Sequence, residues 1–261
     1  MKSTIKKLLN YFGVEIKKLD KELKNNITFD KIYQSSFKKN PVIFDIGANR
    51  GQSIERFNKI FAEPVIHAFE PNYDEYIKLY KLYGNKKNIY LNNFAIGEKN
   101  YFKNFNISHK SDTSSFYKFK NQSKWILKRA KDFKISPKKF IKKTVKTKII
   151  TLDKYCSLNK IENIDILKVD TQGYEANVLR GAKKILKRNL ISALEIEIIL
   201  DNVYEIYNSF TDIEKNLVKN NYRLVALDKG GDGNSNLFEG LVFFCDVIYF
   251  SKKQLSKKLI I

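Results

Sequence analysis

From Pro41 onward, short apolar runs alternate with longer amphipathic ones, and that rhythm admits few folds other than βαβ units wound into a mostly parallel sheet. Strands are expected at residues 42–45, 65–69, 89–94, 164–169 and 191–198, and helices at 51–61, 73–83, 174–187 and 211–220. Two last runs, 222–227 and 241–249, flank the Gly-rich turn 229–233 and read as an antiparallel pair. The stretch 99–150 interrupts the rhythm with an expected hairpin around 101–107, a Ser-rich turn at 111–115, a helix near 122–132 and a strand at 144–150. A chain of 261 residues that is 43% hydrophobic can bury a full core, so residues 41–261 are expected to form one α/β domain.

Residues 1–40 stand apart. Ile5, Leu8, Leu9, Phe12, Ile16, Leu19 and Leu23 recur at helical spacing among lysines, which predicts an amphipathic helix, with 25–40 as a linker. The apolar stripe fits docking on the core or peripheral contact with a membrane surface. No apolar run approaches the ~18–20 residues of a membrane span. Without a secretory pattern, and with Cys156 and Cys245 outside any CxxC spacing, the expectation is a cytoplasmic protein without a disulfide framework or structural zinc.

The net charge of +21 is unevenly placed. Residues 1–40, 99–150 and 252–261 carry +6, +14 and +4, leaving −3 for everything else. A nearly neutral core therefore wears basic appendages, with 99–150 as a basic lobe on the substrate side. Only six of the 49 basic residues are Arg, whereas recognition of base edges and phosphates favours the Arg fork, so a nucleic-acid partner is not expected.

Ligands of open α/β sheets bind outside the carboxyl ends of the strands. After the first strand comes Asp45-Ile46-Gly47-Ala48-Asn49-Arg50-Gly51, a tight turn opening into a helix whose free amides suit an anionic group. After the second comes Glu70-Pro71, a carboxylate able to accept hydrogen bonds from ribose hydroxyls. The dinucleotide fingerprint GxGxxG fails at Asn49 and Gln52, and no Lys-Ser/Thr follows Gly51 to complete a phosphate-binding loop. Taken alone, the turn is also compatible with an ordinary strand-to-helix connection.

Further motifs narrow the choice. Thr151-Leu152-Asp153, then Ile164-Asp165-Ile166-Leu167-Lys168-Val169-Asp170-Thr171-Gln172-Gly173-Tyr174-Glu175 and Val178-Leu179-Arg180-Gly181-Ala182, follow Phe69-Glu70-Pro71-Asn72 and Asn93-Phe94-Ala95-Ile96-Gly97 in order. From about Pro41 to Glu197 this resembles the FkbM-type methyltransferase family. The resemblance implies a Rossmann-like class I fold with a seven-stranded sheet and a C-terminal antiparallel pair, S-adenosylmethionine as cofactor, and methyl transfer to a hydroxyl oxygen, often of a sugar. It further implies that Asp45, Gly47, Ala48, Asn49 and Gly51 line the methionine end, that Glu70 and Pro71 meet the ribose, that Asn93 and Ala95 flank the adenine, that Ser115 lies near the site, and that Asp170 and Gln172 face the sulfonium and acceptor. The long basic lobe departs from the pattern, so the acceptor is less constrained than the donor.

A hydroxyl acceptor needs a proton acceptor in reach. Asp170, at a strand end beside the expected cleft, is the first candidate, with binding of the methionine ammonium as its alternative role. Glu195, on the same strand face as Glu197, and His109 in the basic lobe are the others. Neither an Asp-Asn pair after Asp170 nor a His cluster is present, so no metal is expected. The chemistry expected is O-methylation of a carbohydrate or sugar-phosphate in surface polysaccharide synthesis. The alternatives are an RNA or DNA methyltransferase using the lobe, or a catalytically silent cofactor-binding interaction protein.

Overall fold

The computed structural model describes residues 28–206, 208–228 and 244–258, so the helix expected over residues 3–24 and the Gly-rich turn 229–233 lie outside the described residues. The described chain begins with α1 (Phe29–Ser36), in the stretch expected to be a linker. Its Thr28 side chain accepts from the Lys31 amide, and its Tyr33 is wholly buried. This helix is docked on the core.

Ten strands follow: β1 (Val42–Ile46), β2 (Val65–Phe69), β3 (Ile89–Asn92), β4 (Ala95–Ile96), β5 (Tyr101–Ser108), β6 (Ile141–Ile150), β7 (Ile164–Val169), β8 (Ile191–Ile199), β9 (Tyr222–Asp228) and β10 (Phe244–Ser251). Helices α2 (Gln52–Ile60), α3 (Tyr73–Tyr83), α4 (Lys124–Asp132), α5 (Leu152–Leu158), α6 (Glu175–Arg180), α7 (Lys183–Lys187), α8 (Phe210–Val218) and α9 (Lys252–Lys258) connect or follow them. The main sheet has the order β3-β2-β1-β7-β8-β10-β9, parallel except that β10 runs antiparallel to both neighbours. This is the seven-stranded α/β architecture expected from the sequence.

The strand order reverses between β1 and β7, which places a crevice at their carboxyl ends. The central strands are covered on both faces, so they read as continuous apolar runs rather than alternating ones. Phe44, Leu167 and Leu194 enter the core cluster on one face, while Ile43, Ile166 and Ala193 join Tyr33 of α1 and Phe57 of α2 on the other. Each large side chain so buried contributes ~1.5–3 kcal/mol.

Three expected elements differ. No hairpin forms around 101–107; β5 is one continuous strand paired antiparallel with β6, more than thirty residues on, and β6 also takes β4 in parallel to complete a second, three-stranded sheet. The third strand ends at Asn92 because Ala95–Ile96 leave the main sheet for that pairing. The helix expected over 174–187 is two helices, the second held at its start by Asp153, whose carboxylate accepts from the Lys184 and Ile185 amides at 2.9 and 3.0 Å.

The basic lobe has its own core, in which Phe105, Phe116, Tyr117, Phe119 and Phe140 pack against Tyr174 and Tyr204. Leu127 and Phe133 stay largely exposed. Both cysteines are buried and free. Among the described residues, no helix is long and apolar enough to cross a membrane.

The junction of β1 and β7 is fixed by Gly47. Its φ is +95°, and a Cβ there would lie 1.8 Å from the Asp170 carbonyl oxygen, against backbone that cannot swing away. Gly47→Ala is expected to cost about 2–5 kcal/mol, from left-handed backbone plus overpacking. Urea unfolding checks this, and a loss below about 1 kcal/mol would show that the junction is not so tightly set.

Candidate functional site

A cavity of about 340 Å3 opens at the carboxyl ends of β1, β2, β7 and β8, at the point where the strand order reverses. Three turns build most of it, each held by named bonds. Gly47 and Ala48 donate their amides to the Phe69 carbonyl, at 3.0 and 3.1 Å, which docks the β1 turn on the end of β2. Asn49 follows with φ +44°, its side-chain oxygen buried without a partner. The next helix, α2, has no side-chain cap at Gly51, so its first amides are not claimed by one.

Glu70 closes the second side. One carboxylate oxygen accepts from the Asn49 amide at 2.8 Å and the other from the Asn72 amide at 2.7 Å, so this buried side chain ties the β1 and β2 turns together while lining the cavity. Burial pushes it up to about 7, with the two amides partly opposing the rise.

Along and beneath the floor runs a row of charges set by strand register. Asp45, Lys168 and Glu195 stand side by side on β1, β7 and β8, on the face that carries Ile43, Ile166 and Ala193. Two residues on, Asp170 follows Lys168, and Glu197 pairs with Asp246 of β10. Lys168 bonds Asp170 at 3.1 Å. Burial opposes its charge, but Asp170, Asp45, Glu195 and Glu197 together hold it protonated, its pKa raised.

The Gln172 side chain donates to Asp170 at 2.9 Å and to Glu197 at 2.6 Å, bridging the two. Burial works against the Asp170 charge, yet Lys168 and Gln172 outweigh it and keep that carboxyl below the usual range. Glu197 is driven the other way, by burial first and then by the neighbouring Asp170 and Asp246. Asp246 is pushed up to about 7 and Asp45 to about 6, both mainly by burial. The loop that carries Asp170 and Gln172 is fastened by Glu175, which accepts from the Thr171 and Gly173 amides at 2.9 and 3.1 Å.

The expected site residues divide. Gly47, Ala48, Asn49, Glu70, Pro71, Ala95, Asp170, Gln172 and Glu195 line the cavity. Asp45 does not; it is fully buried behind the wall with both oxygens lacking hydrogen bonds. Gly51 does not line the cavity; its backbone is left-handed at φ +88° and it faces α3, where a Cβ would come 2.9 Å from Leu79 and Tyr83, so its bareness serves the turn and the helix packing. Asn93 is spent on the Glu70 carbonyl, and Ser115 on the Gln172 carbonyl and the Tyr117 amide.

His109 is exposed beside Phe133 and Phe140, away from the cavity. Glu195 is at the wall but occupied. It takes two bonds from Arg56, at 2.6 and 3.1 Å, and one from the Tyr33 hydroxyl at 2.7 Å, which suits it to hold α1 and α2 on the sheet rather than to move a proton.

Sequence reasoning passed over Lys168, Arg56 and Asp246. A lysine at the alternate position that follows Ile164 and Ile166, on the strand's apolar side, is a signal that could have found the first. Asp246 becomes visible only once the register opposite Glu197 is known. From the lobe come Ser111, Asp112, Ser114 and Phe116.

The sequence profile described as the Methyltransferase FkbM domain matches residues 45–224. The chain belongs to the FkbM methyltransferase family. No curated protein matches it. Among solved structures it is similar to a Listeria monocytogenes protein named for S-adenosylmethionine-dependent methyl transfer, at 8% identity over 88% of this chain and 96% of that one, TM-score 0.47. It is also similar to a rRNA methylase from Streptococcus thermophilus, at 10% identity over 84% and 90%, TM-score 0.42. A third is Aeropyrum pernix fibrillarin with natively bound S-adenosyl-L-methionine, at 10% identity over 81% and 66%, TM-score 0.41. Membership rests on the sequence match and not on these likenesses.

The methyl donor of the methyltransferase is S-adenosylmethionine, and the cavity fits it. The acidic floor suits a molecule bearing an ammonium and a sulfonium, the unclaimed α2 amides and the orphaned Asn49 oxygen suit its methionine end, and Glu70 suits vicinal ribose hydroxyls. Ile46, Phe69, Ala95 and Phe105 supply apolar wall for the adenine.

Glu70→Ala is expected to weaken binding of S-adenosylhomocysteine by at least ~1 kcal/mol, through loss of charge-assisted hydrogen bonds. Since hydroxyls donate best to the ionised carboxylate, wild-type affinity should rise as pH passes upward through about 7, and the slope should be shallower in the variant, which keeps Asp246 in the cavity wall. Calorimetry between pH 6 and 8 reads both, and an unchanged affinity removes Glu70 from the ribose.

Proposed function

We propose that the methyltransferase is an O-methyltransferase acting on a hydroxyl of a carbohydrate, with Asp170 as the proton acceptor. The observation that carries this reading is that Asp170, Gln172 and Glu197 line both the donor cavity and a second, adjoining chamber. A group transferred from one cavity to a nucleophile in the other must pass this shared wall. When bound, S-adenosylmethionine supplies a methyl carbon on a cationic sulfur that leaves as a neutral thioether. The protein's own task is therefore alignment of the hydroxyl and removal of its proton.

Asp170 and Glu197 divide that task by charge state. Asp170, held low beside Lys168, is the member of the pair able to receive a proton, whereas burial and the neighbouring Asp170 and Asp246 push Glu197 the other way, toward its protonated form. Gln172, bonded to both, fixes their positions, and the Tyr204 hydroxyl in turn donates to the Gln172 side-chain oxygen at 3.3 Å. A carbohydrate acceptor is favoured by the polar wall of the second chamber, and an acceptor bearing phosphate by the positive lobe above it. The single Arg of the 99–150 lobe, Arg129, speaks against nucleic acid as the substrate.

Methyl transfer from labelled S-adenosylmethionine into a panel of nucleotide-linked and free glycans is the direct assay. Asp170→Asn is expected to lower turnover at least ~100-fold with the fold retained, the loss typical of removing a positioned base, while the thermal midpoint falls because Lys168 loses the charge it bonds. The wild-type rate should fall as pH drops and Asp170 gains its proton, since a carboxyl held low is protonated only toward acid. Normal turnover in Asp170→Asn ends the assignment.

A further inference from the structure

The second chamber, about 310 Å3, is roofed by the basic lobe. Its outer wall carries Lys110, from the loop after β5, and Trp125 and Arg129, one turn apart on α4. The indole is not a free platform. A run of stacked rings leads from Tyr204 to Phe119 (5.1 Å) and from Phe119 to Trp125 (5.7 Å, planes 11° apart), and the Arg129 guanidinium lies over the indole at 5.8 Å. Phe140 meets both Phe119 and Trp125 edge-on. The stack therefore fixes a guanidinium on the chamber wall.

That guanidinium is under-used. Its Nε is buried with no hydrogen-bond partner, and its Nη1 reaches only the half-exposed Asp132 at 3.3 Å. Lys110 is engaged by Asp112 at 3.1 Å, a partly exposed pair that holds its cation weakly. Its loop is braced, since the Lys110 carbonyl accepts from the Ser108 and Thr113 hydroxyls. Two cations on separately anchored elements thus face one small chamber whose far wall holds Asp170 and Glu197. A planar fork and a point charge lining one chamber match the several oxygens and higher charge of a phosphate better than a lone carboxylate.

We propose that this chamber is an anion subsite that takes the phosphate group of a phosphate-bearing glycosyl acceptor, with Arg129 and Lys110 holding the phosphoryl oxygens and turning the sugar hydroxyl toward Asp170. The subsite deepens the reading of the protein as a sugar O-methyltransferase and rests on it. The phosphate belongs to a soluble nucleotide-linked sugar or to a lipid-linked one, and both present the same group.

The test uses the full chain saturated with S-adenosylhomocysteine, titrated by calorimetry with inorganic pyrophosphate, UDP-glucose, and phosphatidylcholine vesicles carrying undecaprenyl diphosphate. Pyrophosphate is expected to bind, and either UDP-glucose or the loaded vesicles to bind more tightly, which names the source as soluble or membrane-held. Arg129→Gln and Lys110→Gln should each weaken the phosphate ligand at least fivefold while S-adenosylhomocysteine affinity stays within twofold. Lys138→Gln, at an exposed lysine of the lobe that lines neither chamber, should change neither.

Unchanged phosphate affinity in Arg129→Gln overturns the proposal, as does an equal loss in Lys138→Gln or tighter binding of glucuronate than of pyrophosphate. The two readings fail separately. Phosphate binding that depends on Arg129, without methyl transfer to any sugar hydroxyl, would sink the sugar reading and leave the anion subsite standing.

Discussion

Lys168 sits in the middle of the parallel sheet with four carboxylates around it, and the rest of the site is arranged by that one buried ammonium. Strand register brings it beside Asp45 on β1 and Glu195 on β8, and its side chain reaches Asp170 one step beyond the end of its own strand. A buried cation of this kind is tolerated only where opposite charges surround it. Its neighbours gain in turn, because without Lys168 the burial that lifts Asp45 and Asp246 would act on Asp170 as well. The lysine thus decides which carboxyl of the cluster is ionised.

That sorting links stability to ligand binding. Asp45 (about 6), Asp246 (about 7), Glu70 (about 7) and Glu175 (about 7) all ionise later in the fold than in an open chain. Between roughly pH 4 and 7 the folded protein holds protons that the unfolded chain has released, so these groups make the fold less stable as pH rises through that window. An acidic floor that strains against its own charge is well suited to a cationic ligand, whose binding relieves the repulsion. Arg56 performs the same relief permanently for Glu195, which is why that carboxylate is a fastening for α1 and α2 and not a spare base.

The sheet, its order of elements and the C-terminal antiparallel strand were readable because buried parallel strands write themselves as apolar runs and the turns at their ends carry Gly47, Glu70 and Asp170 in plain sequence. What periodicity could not supply was register. Asp45 looked like a site residue because it precedes the turn, and it shares its sheet face with Lys168 and Glu195, but it is fully buried and only those two reach the cavity, while Asp246, in a strand read only as closing the sheet, is brought into the cavity opposite Glu197. Gly51 misled for a related reason, since a glycine's freedom is visible in sequence and the neighbour demanding it, here Leu79 and Tyr83, is not. The pairing of β5 with β6 across the intervening lobe was hidden because it is a long-range contact whose local signal matches that of a hairpin.

The charge of the lobe separates into two kinds once the strands are placed. Along β6, Lys142, Lys146 and Lys148 are exposed, while Thr147 and Ile149 are buried, so much of the basic excess is what a half-covered antiparallel strand places on its wet face. Lys103 of β5 behaves differently, lying over the rings of Phe116, Tyr117 and Tyr174, where burial lowers its pKa and its stem serves the lobe's small core. Removing these from the account leaves Lys110 and Arg129 as the lobe cations that line the second chamber. A charge block read as a whole suggests a broad track for a polyanion. Divided by the side to which each residue points, much of it becomes a solvated shell, with two cations set apart on the chamber wall, the arrangement on which the proposed subsite for a compact anion rests.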